Sequence, residues 1–214
     1  MIKKITPLPE FLLNRYKKWK SSSYLTNANQ FKKLASFGQR PSTMVISCCD
    51  SRIHAASIFG ADIGEFFIHR NIANLIPPYS ADGENHGTSA AIEYATKELK
   101  VQHLIILGHR DCGGIKNGYY MHSNLTIFNY EFINKWLSIL LPAYNKIQKD
   151  VTEQKQINQL EQESIKVSIN NLFSFPFIKK AVEENNLSIH GLMHDIGSGK
   201  LKFLNPVTED FENF

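Results

Sequence analysis

Val45-Ile46-Ser47-Cys48-Cys49-Asp50-Ser51-Arg52 is the stretch on which the reading of this chain turns. An apolar run, Met44 to Ile46, leads into it and reads as a buried strand approaching its C-terminal end. Side chains alternate between faces along a strand. An extended path therefore sends Cys48, Asp50 and Arg52 to one side and Cys49 and Ser51 to the other. A thiolate, a carboxylate and a guanidinium would then converge on one spot, an arrangement that suits chemistry better than packing. Cys49, facing away, is assigned to the core.

A second stretch, His103-Leu104-Ile105-Ile106-Leu107-Gly108-His109-Arg110-Asp111-Cys112-Gly113-Gly114, has the same plan. Its apolar run stops at a glycine and presents His109 and Cys112. A helical turn starting there would put those two, three residues apart, on one face. Cys112 would also lie near a helix N-terminus, which favours the thiolate. Taken singly, Cys48 and Cys112 read as inert buried cysteines. With His109 they form a Cys₂His set, the ligand pattern of a zinc site that keeps one position open. A closed structural zinc site would need a fourth protein ligand.

The run Cys48-Cys49-Asp50-Ser51-Arg52, followed by His109-Arg110-Asp111-Cys112-Gly113-Gly114, resembles the paired zinc motif of the β-class carbonic anhydrases. Phe67-Ile68-His69-Arg70-Asn71-Ile72-Ala73-Asn74 is similar to the family's intervening segment. The likeness continues through Gly87-Thr88-Ser89-Ala90-Ala91-Ile92-Glu93-Tyr94-Ala95, Ser174-Phe175-Pro176-Phe177 and Ile189-His190-Gly191. Several motifs in family order are far more specific than any one of them.

The resemblance implies a zinc-dependent, reversible hydration of carbon dioxide to bicarbonate and a proton, with one zinc per subunit on Cys48, His109 and Cys112. Zinc-bound hydroxide would attack the substrate, oriented by Asp50, with Arg52 clamping that carboxylate in a bidentate fork. An ordinary structural ion pair is the competing account of Asp50 and Arg52. The resemblance also implies substrate-binding roles for Gln39, Phe67 and Tyr94, as in the plant-like, open-site branch. Their plainer readings are a surface glutamine and two core aromatics. Gly113 would offer a backbone N–H near the substrate, although a glycine after a helix start is also simple geometry. The family implies a homodimer or homotetramer, with Gln39 and Phe67 reaching a neighbouring subunit's site. His54 and Arg110 are assigned no role.

The rest of the chain fits an enzyme of this kind. A 214-residue chain with 43% hydrophobic and 21% charged residues can bury a substantial core. It is expected to be one domain over residues 1–214, with 1–37 as an N-terminal helical arm. A net charge of +4 carried by scattered lysines gives little support to nucleic-acid binding. Three cysteines do not make a disulfide framework. No apolar leader or membrane-length run is read, so the expectation is a reduced, cytoplasmic protein without membrane or nucleic-acid partners. A non-catalytic zinc module and a thiol-redox protein are the alternatives, the latter without any Cys-x-x-Cys motif.

In chain order, helices are expected over residues 8–20, 27–37, 53–59, 88–100, 125–149, 157–173 and 177–185, the long ones interrupted near Pro142 and by the polar tract 152–163. The polar tract 152–163 is taken as a solvated helix face. Strands are expected at 44–46, 65–69 and 104–107, with a terminal antiparallel hairpin from 187–194 and 201–205 and a polar turn at 83–87. Strands separated by helices imply a parallel-core α/β sheet flanked by helices, with an antiparallel C-terminal strand. Ligands of such sheets gather at the carboxyl ends of the strands, where both cysteine-bearing stretches lie.

Overall fold

In the computed structural model, residues 6–81, 86–125 and 129–214 are described; the expected turn at 83–87 lies mostly outside them. The chain divides into two compact units, Met1–Arg40 and Pro41–Phe214. The first holds helices α1 (Glu10–Ser21), α2 (Ser23–Thr26) and α3 (Ala28–Phe37). None of the three buries a residue fully. Their internal contact is aromatic, with Trp19 against Tyr24 and Phe31 at ring separations of 5.4 and 6.0 Å.

The second unit is an α/β structure. A six-stranded sheet takes the order β2-β1-β3-β4-β5-β6, from β1 (Thr43–Cys48), β2 (Phe66–Asn71), β3 (His103–His109), β4 (Ser188–His194), β5 (Leu201–Leu204) and β6 (Phe211–Asn213). The first four strands in this order run parallel and the last two pairings are antiparallel. This is the expected architecture, with β6 as an addition. All six residues of β1 are buried, as fits a central parallel strand covered on both faces.

The helices of this unit are α4 (Ala55–Phe59), α5 (His86–Glu93), α6 (Gly113–His122), α7 (Ile133–Leu137), α8 (Leu141–Tyr144), α9 (Glu153–Leu172) and α10 (Pro176–Glu183). Three depart from expectation in instructive ways. The helix expected over 88–100 is regular only to Glu93 and widens into a π-helical turn at Tyr94–Glu98. The long helix expected over 125–149 starts only at Ile133 among the described residues; its expected interruption near Pro142 is present, as a 3₁₀ turn at Ser138–Leu140 with Pro142 in the first turn of α8. Proline has no N–H to donate and a fixed φ, so it suits a helix start and not an interior.

The third departure is α9. Its polar N-terminal half was assigned to solvent, yet Ile157, Leu160, Glu161 and Ser164 are buried. This helix packs close to the sheet because β3 and β4 carry glycines under it. A Cβ at Gly108 would stand 2.6 Å from Ile165 Cδ1, and one at Gly191 would stand 3.0 Å from Ile165 Cγ2. Those side-chain-free positions let the helix settle onto the sheet with Ile165 fully buried. No helix among the described residues is long and apolar enough to cross a membrane.

Candidate metal centre

Strands β1 and β3 are adjacent and parallel, with Ser47 opposite Leu107. Their carboxyl ends therefore deliver Cys48 and His109 side by side. Between His109 and α6 the chain must reverse within three residues. It does so with Asp111 in the left-handed region, at φ 56°, which carries Cys112 back to the cap position of α6. The expectation that His109 and Cys112 share one helical face is thus corrected: one ends a strand and the other caps a helix. Gly114 makes the return possible, because a Cβ there would lie 2.8 Å from Ile72 Cγ2 and 3.0 Å from Ala73 Cβ.

Cys48, His109 and Cys112 are all buried, and their ligand atoms lie within 4.8 Å of one another. The two sulfurs are 3.9 Å apart. Two thiolates on a tetrahedral zinc at about 2.3 Å each would be about 3.8 Å apart, so the gap fits such an ion. His109 donates through Nδ1 to the Arg110 carbonyl at 2.9 Å, which leaves the lone pair on Nε2 facing the sulfurs. That buried nitrogen has no hydrogen-bond partner among the described residues. A buried polar atom without a partner costs free energy, and a metal ion would satisfy it. The group Cys48, His109 and Cys112 can hold a metal.

The charges of these three side chains influence one another. The Cys48 thiol is pulled down to about 4, first by the hydrogen bond from Cys112, against burial, with further help from His109 and the N–H groups of Asp50 and Ala73. Cys112, which keeps the shared proton, is pushed up by Cys48 and by burial. Burial depresses His109, but the Cys48 thiolate, the Arg110 carbonyl and Asp50 together raise it above its ordinary value.

Asp50 lies beside this group, with Oδ2 3.9 Å from His109 Nε2. Arg52 donates from Nε to Asp50 Oδ1 at 2.9 Å and from Nη2 to Oδ2 at 2.6 Å, and its backbone N–H adds a bond to Oδ1 at 3.0 Å. These bonds hold the Asp50 carboxyl well below the usual carboxylate range. The two residues meet as expected, for a different reason. The strand ends at Cys48, and a turn closed by Ile53 N–H on the Asp50 carbonyl folds Arg52 back. Arg52 also donates to the Asp111 carbonyl at 3.1 Å, which joins the two cysteine-bearing stretches. Cys49 does not enter the core. It is exposed, in a mostly apolar groove of about 640 Å³ with His69, Ile72, Phe132 and Trp136. The reason is again the end of the strand, after which alternation no longer governs.

Of the remaining sequence candidates, Phe67 and Tyr94 pair with each other away from Cys48, while Gly113 adjoins Cys112. Phe67 stands opposite Met44 on β1, four residues before Cys48, so roughly 13 Å of strand separates it from the metal residues. Tyr94, 47% exposed, packs against it with ring centroids 5.9 Å apart. Gln39 is exposed, just beyond the left-handed Gly38. Gly113 opens α6, and a Cβ there would meet nothing within 4 Å. His54, given no role, caps α4 by accepting the Ser57 N–H on Nδ1 at 3.2 Å.

Sequence reasoning passed over Glu161. Its side chain is 1% exposed, its Oε1 accepts the Cys112 N–H at 3.1 Å, and its Oε2 pairs with Arg110 at 3.0 Å. Burial pushes its carboxyl up to about 7, against the pull of Arg110 and the Cys112 N–H. The polar tract around it hid this, since nothing in the periodicity separates one buried carboxylate from its solvated neighbours.

Comparison with known proteins agrees with this geometry. The carbonic anhydrase family model matches residues 43–201, most of the second unit. The chain belongs to the carbonic anhydrase family, in its β class. It is 36% identical over 184 residues to beta carbonic anhydrase 3 of Arabidopsis thaliana, covering 85% of this chain and 70% of that one. The solved β-carbonic anhydrase CcaA superposes with a TM-score of 0.84 at 26% identity, over 96% of this chain and 98% of the other. A β-carbonic anhydrase from Sordaria macrospora, described as tetrameric, does so at 0.77 and 30% identity, over 92% and 96%.

Proposed function

We propose that this β-class carbonic anhydrase is a zinc enzyme that interconverts carbon dioxide and bicarbonate, with Cys48, His109 and Cys112 as ligands and Asp50 and Arg52 as the orienting dyad. The observation that carries the reading is the unpartnered Nε2 of His109, which faces two sulfurs with the doubly held Asp50 carboxylate at its side. A purely structural metal would have no use for that oriented carboxylate.

Two thiolates and a neutral imidazole would balance a divalent ion. Zinc, when bound there, supplies the Lewis acidity that makes water a nucleophile near neutral pH. Asp50 stays ionised and accepts a hydrogen bond from the attacking oxygen, which fixes the direction of its lone pair. Arg52 holds Asp50 in place and leaves it unable to donate a proton. The Gly113 N–H, at the start of α6 directly after Cys112, is suited to an oxygen of the substrate. Addition of water to carbon dioxide yields bicarbonate and one proton, which leaves to solvent.

The reading includes a homo-oligomer built on dimers. Phe67 and Tyr94 do not join the metal residues of their own chain, so substrate-binding roles for them require a neighbour's site, and the family likeness gives Gln39 the same role. The exposed Phe11, Tyr16 and Trp19 of α1 supply apolar surface for such contacts. The plant-like branch and a cytoplasmic setting belong to the same proposal.

Metal analysis with stopped-flow hydration tests it. The expected result is one zinc per chain and carbon dioxide hydration at alkaline pH. Stoichiometric zinc without hydration would defeat the catalytic reading.

A further inference from the structure

Glu161 and Arg110 lie outside every role assigned above, yet they link the backbones of both ligands on the second stretch. The Glu161 carboxylate accepts the Cys112 N–H through Oε1 and meets Arg110 Nη1 through Oε2. The Arg110 carbonyl in turn accepts the Nδ1 proton of His109. Arg110 is itself fixed at both ends. Its N–H donates to the His194 carbonyl at 2.8 Å, and its guanidinium reaches the Asn158 carbonyl of α9 at 3.4 Å. The path from Cys112 through Glu161 and Arg110 to His109 is closed and mostly buried.

A buried carboxylate is costly to keep, and packing alone would be served as well by an apolar side chain at position 161. The segment it holds needs an anchor. It reverses direction through Asp111 at positive φ, a conformation uncommon outside glycine though open to aspartate. Arg52 grips the Asp111 carbonyl. The Glu161 carboxylate grips the next amide, that of Cys112.

We propose that Glu161, braced by Arg110, is a positioning residue for the metal centre: it sets the direction of the Cys112 thiolate and, through the Arg110 carbonyl, of His109 Nε2. This rests on the metal reading above. Groups that orient metal ligands typically change affinity or activity by about 10–100-fold when lost. Glu161→Gln is the discriminating variant, because it keeps the shape and an acceptor oxygen but abolishes the charged link to Arg110.

The experiment follows zinc release from the purified, zinc-loaded protein into a chromogenic chelator, with the visible spectrum of the cobalt-substituted protein as a second readout. Release from E161Q is expected to be at least tenfold faster, with altered thiolate-to-cobalt bands, while the thermal midpoint of the metal-free protein stays near that of wild type. A residue that only supports packing would lower that midpoint and leave the bands unchanged.

Wild-type release rates and bands in zinc-loaded E161Q overturn the proposal while leaving the metal reading intact. A wild-type protein that binds no zinc overturns both. Should E161Q fail to fold, Arg110→Gln bears the same expectation from the other end of the link. Unchanged release from R110Q would overturn the proposal equally.

Discussion

Arg52 donates to both carboxylate oxygens of Asp50, at 2.9 and 2.6 Å, while Asp50 Oδ2 stands 3.9 Å from His109 Nε2. One carboxylate is thus pinned by a cation and directed at a residue of the candidate metal group. Asp50→Asn should retain zinc, because the three ligands are untouched, and lose activity by about 10²–10³-fold, the usual effect of removing one oriented group at a reacting centre. Arg52→Lys keeps the charge but not the fork, so its loss should be partial. Zinc content and kcat/KM measured on the same preparations check this. Near-normal turnover in Asp50→Asn would reduce the pair to a structural one.

Cys48→Ser, His109→Ala and Cys112→Ser should each lose zinc and activity together, since each removes one of three protein ligands. The proton inventory gives a second check. The hydrogen bond between the two sulfurs draws Cys48 down and, with burial, pushes Cys112 up, so zinc uptake at pH 7 should release the proton the pair shares, most of it from Cys112, to the medium. Any protonated His109 adds to that release. Affinity should therefore weaken as pH falls. Titration of metal-free protein with zinc in the presence of an indicator dye reads this directly, and proton-neutral uptake would contradict the assignment of Cys112.

The parallel core and the grouping of Cys48, His109 and Cys112 were legible because both rest on short-range signals. Apolar runs ending at Cys48 and at Gly108 mark strands, and parallel strands bring their ends together. The turn geometry was not legible. Nothing in Asp50-Ser51-Arg52 says that the strand stops at Cys48, and that stop is what exposes Cys49 and folds Arg52 onto Asp50. Glu161 was illegible for another reason. Its burial depends on Gly108 and Gly191 admitting α9, a relation spanning more than fifty residues that no local periodicity records.

Gly114 offers a packing test close to the site. A methyl group there would press on Ile72 and on Ala73, whose amide donates to Cys48 Sγ at 3.4 Å. Gly114→Ala should cost about 1–3 kcal/mol, as overpacking of a tight contact does, and should loosen Cys48 as well. Chemical denaturation of the zinc-loaded variant beside Gly113→Ala is the comparison to make. The latter meets nothing within 4 Å and should unfold close to wild type.

The oligomer can be tested by complementation. Light scattering should give a dimer or a multiple of one. If Gln39 serves a neighbouring subunit's site, Cys48→Ser and Gln39→Ala chains should assist each other when mixed. The hybrid dimer then holds one site with intact ligands and an intact Gln39. Activity above the sum of the two separate variants is the expected outcome, and an active monomer or strictly additive activity would exclude the sharing.

The acid limb of the pH profile follows from how firmly Asp50 is held. Its carboxyl lies below the usual carboxylate range, first because of the bonds from Arg52. A depressed carboxylate contributes its stabilisation above its unfolded pKa of about 3.9 and loses it only as pH falls through the lower folded value. The dyad should therefore stay intact across the neutral and mildly acidic range, and Asp50 should not swing onto the metal. Nothing nearby invites that swing. Val45, three residues before Cys48, is fully buried and has no side-chain donor. Arg70 is engaged with the carbonyls of Cys48 and Asp50, at 2.9 and 2.7 Å. Activity should then fall on acidification with the slope of a single proton, that of the attacking water, and not as the steep loss of a conformational switch. A slope of two or more in log kcat/KM against pH, or an Asp50 oxygen on the metal in a crystal grown below pH 7, would show that the clamp lets go.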